Sequence, residues 1–181
     1  MTISKIIRKV KGKNISLAIP QTNEESLTKY IEWDYDDEII KFMGGQRNIT
    51  NVEEEEKYFS NTCDYKWVFI IVTNDNTEIG ICDVTKNNPF SATISIMIGD
   101  SDYRDKGNGT EALQLLLSYC FNSLGFHRVE LVVYEENERA IHMYEKVGFK
   151  KSGILRELEW YNGKWRNMIV MDILAHEFYE S

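Results

Sequence analysis

The chain has 181 residues, of which 43% are hydrophobic and 28% charged, and its formal net charge at pH 7 is −8. This length and composition are typical of one globular domain with its own core, so we expect a single domain spanning residues 1–181. The acidic balance disfavours nucleic-acid binding, which requires a basic face. No apolar run approaches the roughly 20 residues that cross a membrane, and no signal peptide is recognised, so a cytoplasmic protein is predicted.

The three cysteines, Cys63, Cys82 and Cys120, show neither a CxxC pair nor another spacing typical of metal ligands. We expect reduced and mostly buried thiols, because disulfides are rare in the cytoplasm. No metal site is predicted from the sequence.

The first half of the chain predicts one strand and three short helices. In chain order these are a strand over 15–19, a helix capped by Thr22 or Asn23, a helix over 36–42 ending at Gly44-Gly45, and a helix over 52–59. The last helix opens with four glutamates, residues 53–56, for which we expect a solvated helix face rather than a patch that recruits cations.

The second half predicts more strands than helices. In chain order these are strands over 67–73, 78–84 and 91–98, a helix over 107–124, a strand over 128–134, a helix over 137–147, and hairpin strands over 155–161 and 164–174. Asn162-Gly163 is the strongest hairpin signal in the chain. The order predicts a mixed α/β (α+β) fold with a mostly antiparallel central sheet flanked by helices.

A glycine-containing turn joins the strand over 91–98 to the following helix. Gly107 and Gly109 stand where that helix begins, so the unpaired amides of its first turn would form an anion site. Thr110 could add a hydroxyl and Arg104 a positive charge. A pyrophosphate group is the predicted guest.

The same segment, residues 107–112, also matches the dinucleotide-binding pattern GxGxxA. Glu135 or Glu136 lies roughly where such proteins place a ribose-binding carboxylate. The glycines follow the strand only after a loop of about eight residues, whereas the dinucleotide motif turns directly off its strand. A nicotinamide-dependent oxidoreductase therefore stays as a disfavoured alternative.

A second motif lies on the helix over 137–147. Asn137, Ala140 and Tyr144 share one stripe of that helix, and Gly148-Phe149 follow it. Together with the earlier Arg104-x-x-Gly107-x-Gly109, this order of motifs resembles the GNAT superfamily of acyl-CoA N-acyltransferases. The resemblance covers roughly residues 14 to 175, and the hairpin around Asn162-Gly163 is similar to the branch that acetylates ribosomal-protein N-termini and spermidine.

The resemblance implies a GNAT-like fold, a single N-acetyltransferase domain, and strands that splay apart at an acetyl-CoA cleft. The residues implied to bind acetyl-CoA are Met97, Ile98, Gly99, Arg104, Asp105, Lys106, Gly107, Asn108, Gly109, Thr110, Asn137, Ala140 and Tyr144. Met97 to Gly99 would pair with the pantetheine arm through their backbone, and Tyr144 would reach the thioester sulfur.

The implied reaction is direct attack of an amine on the thioester. A phenol stays protonated at neutral pH and can donate to the departing thiolate, so Tyr144 is the predicted general acid. Many members of the superfamily place a glutamate on the strand before the turn, but residues 92–95 contain no carboxylate. A water relay is therefore favoured over a direct carboxylate base, and Asp83 is the best carboxylate left.

The acceptor is expected to be a primary amine, either a protein N-terminal α-amine or a small-molecule amine or polyamine. Trp33, Asp34 and Asp37 could form an aromatic and acidic wall for a cation, although packing of Trp33 explains the pattern at least as well. A non-catalytic CoA-binding sensor or assembly module of the same fold is the alternative. Neither a nucleic acid nor a membrane is an expected partner, and relatives are often dimers, so a homodimer is possible.

Overall fold

The computed structural model describes residues 6–43, 51–60 and 65–180. In these residues eight strands form one sheet in the order β1-β2-β3-β4-β5-β6-β8-β7. The strands are β1 (Arg8–Lys11), β2 (Ile15–Ala18), β3 (Lys66–Thr73), β4 (Glu78–Asn88), β5 (Ser91–Ile98), β6 (Arg128–Tyr134), β7 (Lys150–Tyr161) and β8 (Lys164–Leu174). Neighbouring strands run antiparallel except β5 and β6, which are parallel.

Six α-helices connect or flank the strands of this part of the chain. They are α1 (Glu24–Asp34), α2 (Asp37–Met43), α3 (Val52–Ser60), α4 (Asn108–Ser118), α5 (Glu138–Val147) and α6 (Ala175–Glu180). The Asn23 side chain caps α1 by accepting from the Ser26 amide, as predicted. In the described residues no helix is long and apolar enough to cross a membrane.

The sheet buries a different hydrophobic cluster on each face. One cluster packs α4 and α5 against inward residues such as Val84, Ile94 and Leu131. The other packs α1 and α3 against Val68 and Ile70. The alternation of strand side chains between two helical layers explains why β3, buried on both faces, is an almost continuous apolar run. The predicted mixed fold, with a mostly antiparallel central sheet flanked by helices, is confirmed.

The structure departs from the predicted elements mainly at the ends of the chain. β1 and α6 were not predicted, and β7 begins at Lys150 rather than at residue 155. The predicted helix over 107–124 is α-helical only to Ser118, after which Tyr119–Ser123 form a π-type turn. The predicted stop at Gly44-Gly45 lies outside the described residues.

Two other expectations concern buried polar groups. The prediction of a fully solvated glutamate face on α3 is wrong for Glu55, which is 6% exposed. Cys82 and Cys120 are buried free thiols, as expected, whereas Cys63 lies outside the described residues. Burial raises the pKa of the Cys120 thiol to about 12, so this sulfur is inert at neutral pH.

Candidate active site

The site opens where two parallel strands separate. β5 pairs with β4 along its whole length, from Ser91 to Ile98. With β6 it pairs only over Ser91–Thr93, opposite Arg128–Glu130. Beyond Thr93 the two strands diverge, and a cleft of about 700 Å³ opens between them. Because the cleft-facing edge of β5 has no strand partner there, its backbone groups are available to an extended ligand.

The glycine turn forms the far end of this cleft. Gly107 precedes α4 with φ of 84°, a left-handed conformation that favours glycine, and offers no side-chain cap. Along α4, the first backbone amide that forms a hydrogen bond of the helix belongs to Glu111, which donates to Gly107 O at 3.0 Å. The amides of Asn108, Gly109 and Thr110 precede it and lack acceptors within the helix, so this end of α4 suits an anion such as a pyrophosphate.

The predicted turn residues divide into those that reach the cleft and those that do not. The cleft is lined by Met97, Ile98, Arg104, Asp105, Gly107, Gly109 and Thr110. Gly99, Lys106 and Asn108 are not among its lining residues. The Asn108 side chain donates to Tyr103 O at 2.9 Å, and the Lys106 ammonium lies 6.0 Å from the centroid of the same tyrosine ring. The side chains of Lys106 and Asn108 are thus directed to Tyr103, and any contact of these two residues with acetyl-CoA would be made by their backbone.

The Arg104 side chain binds carboxylates and backbone carbonyls of the protein. This corrects the expectation that it adds its positive charge to the anion site. Its guanidinium is 8% exposed and lies 3.0 Å from Asp36 Oδ2 and 2.8 Å from Glu38 Oε2. It also donates to Ile98 O at 3.0 Å and to Gly99 O at 2.7 Å. Burial would raise the pKa of Asp36, but the hydrogen bonds from Arg104 and from backbone amides outweigh it and lower that pKa. Arg104 therefore ties the turn to α2, and its charge is offset by two carboxylates.

The helical spacing of the α5 stripe places its polar groups at the cleft. Asn137, Ala140 and Tyr144 all line it. Asn137 Oδ1 accepts the Ala140 amide at 3.2 Å, so the side-chain NH₂ is the part left for a ligand. Asn137 thus combines the helix cap with a donor aimed at the site.

Tyr144 presents a phenol to the cleft from a buried position. The residue is 8% exposed, and its ring centroid lies 5.8 Å from that of Phe149. Its hydroxyl has no hydrogen-bond partner among the described residues. Burial raises its pKa to about 12, so the group is a protonated donor at neutral pH.

Comparison with known proteins decides the family. A family model described as an acetyltransferase (GNAT) domain matches residues 17–150. The chain belongs to the GNAT acetyltransferase family. As a GNAT member it is an N-acetyltransferase that uses acetyl-CoA, and the cleft, the amides of the glycine turn and the Tyr144 phenol fit that cosubstrate.

Curated relatives and a solved structure agree with this assignment. The chain is 28% identical over 165 residues to spermidine N(1)-acetyltransferase of Escherichia coli K12, covering 90% of this chain and 88% of the relative. It is 39% identical over 146 residues to the probable N-acetyltransferase YjcK of Bacillus subtilis, covering 76% and 75%. Spermidine N-acetyltransferase from Vibrio cholerae, solved with CoA and spermine, has the same fold with a TM-score of 0.84 at 22% identity, covering 93% and 99%.

The residues suggested for an acceptor wall, Trp33, Asp34 and Asp37, do not line the cleft. Trp33 is 7% exposed and packs beneath Gly99, where an added Cβ would lie 2.1 Å from the indole. Neither Trp33 nor Asp34 lines the cleft, and Asp37 does not either. The face of α1 that carries Trp33 is turned towards the sheet, so the packing interpretation holds. Asp83 also lies off the cleft, behind β5.

The cleft also contains charged and apolar residues that the sequence analysis did not assign to an acetyl-CoA site. Four carboxylates line it against two guanidinium groups: Glu38, Asp105, Glu136 and Glu138 against Arg104 and Arg139. Apolar side chains of α2 and β8 complete the wall: Ile39, Phe42, Met43 and Met168. The acidic pair that follows β6, Glu135-Glu136, is the sequence signal for charge at this place.

Glu135 and Glu136, the two residues considered as ribose ligands of a dinucleotide, accept hydrogen bonds from side chains of β8. Glu135 accepts from the Asn167 side chain at 2.9 Å, and Glu136 accepts from Arg166 Nε at 2.9 Å. Arg166 is 2% exposed, stacks 3.6 Å from the centroid of Tyr134, and donates to Lys41 O at 2.8 Å. These contacts fix Glu136 in the cleft wall, whereas Glu135 is not among the lining residues.

Proposed function

We propose that the protein transfers an acetyl group from acetyl-CoA directly to a primary amine within one ternary complex, with Tyr144 as general acid. The observation that carries the proposal is the Tyr144 hydroxyl, which is protonated, has no protein partner among the described residues, and lines the cleft between β5 and β6. The free amides of the glycine turn support a pyrophosphate at the other end.

The residues have separate tasks in this proposal. The amides of residues 107–110 hold the pyrophosphate, and the unpaired edge of β5 at Met97 holds the pantetheine amides. The Ile98 and Gly99 carbonyls are occupied by Arg104, so the backbone contribution predicted for them is reduced to their amides. Asn137 donates its side-chain NH₂ to the same arm. Acetyl-CoA supplies the activated acyl group.

Proton donation is the chemical role of Tyr144. As the amine attacks, charge develops on the departing sulfur, and a nearby phenol stabilises it by donating its hydrogen bond or its proton. General acid catalysis of this kind contributes about 10²- to 10⁴-fold in rate. A group with a pKa of about 12 remains a donor throughout the physiological pH range.

We propose a polyamine as the first acceptor to test. The excess of carboxylates over guanidinium groups on the cleft wall favours a cation. Spermidine acetyltransferases are among the relatives that match over most of both chains. A protein N-terminal α-amine is the second acceptor.

Thermal unfolding with acetyl-CoA, NAD or ATP, followed by thiol release with spermidine or an N-terminal peptide, tests the proposal. A ligand at 100 times its Kd should stabilise the fold by about 2.7 kcal/mol. We expect stabilisation by acetyl-CoA and amine-dependent thiol release. Stabilisation without release for any amine would favour the sensor alternative, and stabilisation by NAD alone would favour the oxidoreductase.

A further inference from the structure

A serine and an aspartate on neighbouring strands form a hydrogen-bonded pair beside the cleft. Asp83 on β4 lies directly opposite Ser95 on β5. Ser95 lines the cleft, and its hydroxyl donates to Asp83 Oδ2. The Tyr58 hydroxyl donates to the same oxygen at 3.3 Å. Ser95 lies on the segment of β5, residues 92–95, that carries no carboxylate of its own.

The direction of this hydrogen bond decides what Ser95 offers to a ligand. A serine hydroxyl has one hydrogen to donate and two lone pairs that accept. Because its hydrogen is directed to Asp83, Ser95 is an acceptor towards the cleft. A carboxylate behind it increases the negative charge on that oxygen, as hydrogen bonds in a chain polarise one another. An amine N–H is the complementary ligand.

A second carboxylate near β5 is a poorer candidate for the same role. Glu130 on β6 reaches Thr93, which also lines the cleft, with its Oε1 3.3 Å from the threonine hydroxyl. Asn87 Nδ2 donates to the same Oε1 at 2.9 Å, and the other oxygen, Oε2, forms an ion pair with Arg128. Asp83 has no ion pair within the described residues, so its charge is not neutralised by a contacting cation.

We propose that Ser95 accepts a hydrogen bond from the amine that is acetylated, and that Asp83, acting through Ser95, receives the proton which this amine loses. An N–H bond of the acceptor ammonium breaks and its proton passes to Ser95 Oγ. The Ser95 O–H bond breaks at the same time, and that proton passes to Asp83 Oδ2. The products are a neutral amine and a neutral carboxyl group, and the carboxyl group then loses its proton to solvent. This inference rests on the proposed function.

The groups around Asp83 set the pH range of a test. Tyr58 on α3 contacts Asp83, and Glu55 on α3, Asp34 on α1 and Lys66 on β3 lie near Tyr58, with the Lys66 ammonium 3.9 Å from its ring centroid. Burial, and then the charge of Asp34, raises the pKa of Glu55 to about 7. Burial keeps the pKa of Tyr58 well above its usual range. Rates compared from pH 8 upward therefore avoid both titrations.

The test compares the pH profile of kcat/KM with spermidine for the wild type, Ser95→Ala and Asp83→Asn. At pH 8 the acceptor is an ammonium, and we expect each variant to lose about 100-fold, the lower end for general base catalysis. Near pH 10 much of the acceptor is already a free amine, so the loss should shrink to about threefold. The double variant should lose no more than either single variant, because the two residues act as a unit.

Matched measurements separate the failure of this inference from that of the proposed function. Glu130→Gln, the other carboxylate beside β5, should keep the wild-type profile. The Kd of acetyl-CoA, measured by calorimetry, should be unchanged in all variants. If Asp83→Asn does not fold, the pH profile of Ser95→Ala alone tests the inference. A wild type that acetylates no amine overturns the proposed function. An active wild type with unaffected variants, or with losses equal at every pH, overturns the role of this pair.

Discussion

Replacing Tyr144 with phenylalanine removes the proposed acid and almost nothing else. With a pKa of about 12, the phenol is less than about one part in ten thousand ionised at pH 7.5. We expect kcat to fall by about 10²- to 10⁴-fold. At 1.36 kcal/mol per tenfold change this is about 2.7–5.4 kcal/mol of activation free energy.

Phenylalanine is preferred to alanine because of the packing around the ring. The residue is 8% exposed and contacts Phe149, so truncation to alanine would cost about 3–5 kcal/mol of folding stability. Phenylalanine keeps the ring and leaves no protein partner unsatisfied, since the hydroxyl has none among the described residues. The free energy of unfolding should therefore change by less than about 1 kcal/mol.

The assay is thiol release at saturating acetyl-CoA and amine, with the Kd of CoA measured separately by calorimetry. Tyr119→Phe is the matched control, because Tyr119 is 9% exposed and packs on Phe69 away from the cleft. It should retain wild-type kcat. A Tyr144→Phe enzyme within about threefold of wild-type kcat would refute the acid role, and a loss confined to the Kd of CoA would make Tyr144 a binding residue.

Three further substitutions probe the glycine turn, the buried Glu55 and the contacts by which Arg104 ties the turn to α2. Gly107→Ala should cost about 1–2 kcal/mol of stability, since φ is 84° while an added Cβ meets open space, and should weaken acetyl-CoA binding. Gly125→Ala, with φ of 70° away from the cleft, should cost the same without the binding defect, and equal acetyl-CoA Kd values for the two variants would contradict the anion site. The pKa of Glu55, raised to about 7 by burial and then by Asp34, means that wild-type stability falls as pH rises from 4.5 to 7. Glu55→Gln should therefore exceed the wild type in unfolding free energy by about 1–3 kcal/mol at pH 8 and by little at pH 4.5, in urea titrations; a difference independent of pH would refute this. Arg104→Lys should lower the free energy of unfolding by about 2 kcal/mol, because several buried hydrogen bonds are lost while the charge is kept. A change below about 0.5 kcal/mol would mean that the Arg104 contacts to α2 do not stabilise the fold.

Local patterns predicted the elements that carry the cofactor side of the site. The strand predictions 91–98 and 128–134 coincide with β5 and β6. Both are apolar runs bounded by turn residues. These signals are local in the sequence, so they can be recognised without knowledge of the fold. The α5 stripe was predictable for the same reason, because helical spacing alone places Asn137, Ala140 and Tyr144 on one face.

Long-range pairing explains what the sequence could not predict. Arg104 looks like a free cation until the fold brings Asp36 and Glu38 to it from 68 and 66 positions away. The sequence leaves Trp33 open between an acceptor wall and the core, because nothing local shows that Gly99 leaves room for its ring. β1, a run of mostly charged residues, is a strand only because β2 supplies its backbone partners. The separation of β5 from β6 after three residue pairs is likewise a property of distant segments.

Helix α2 is fastened at both ends by arginines from different parts of the chain. Arg104 of the glycine turn binds Glu38 near its start, and Arg166 of β8 binds Lys41 O near its end. The proposed pyrophosphate site and the proposed acceptor wall are thus both joined to α2 by direct hydrogen bonds, so binding at one site can be coupled to binding at the other through this helix. Thermodynamic linkage then requires reciprocity. Whatever factor acetyl-CoA applies to the affinity for the amine, the amine must apply to the affinity for acetyl-CoA.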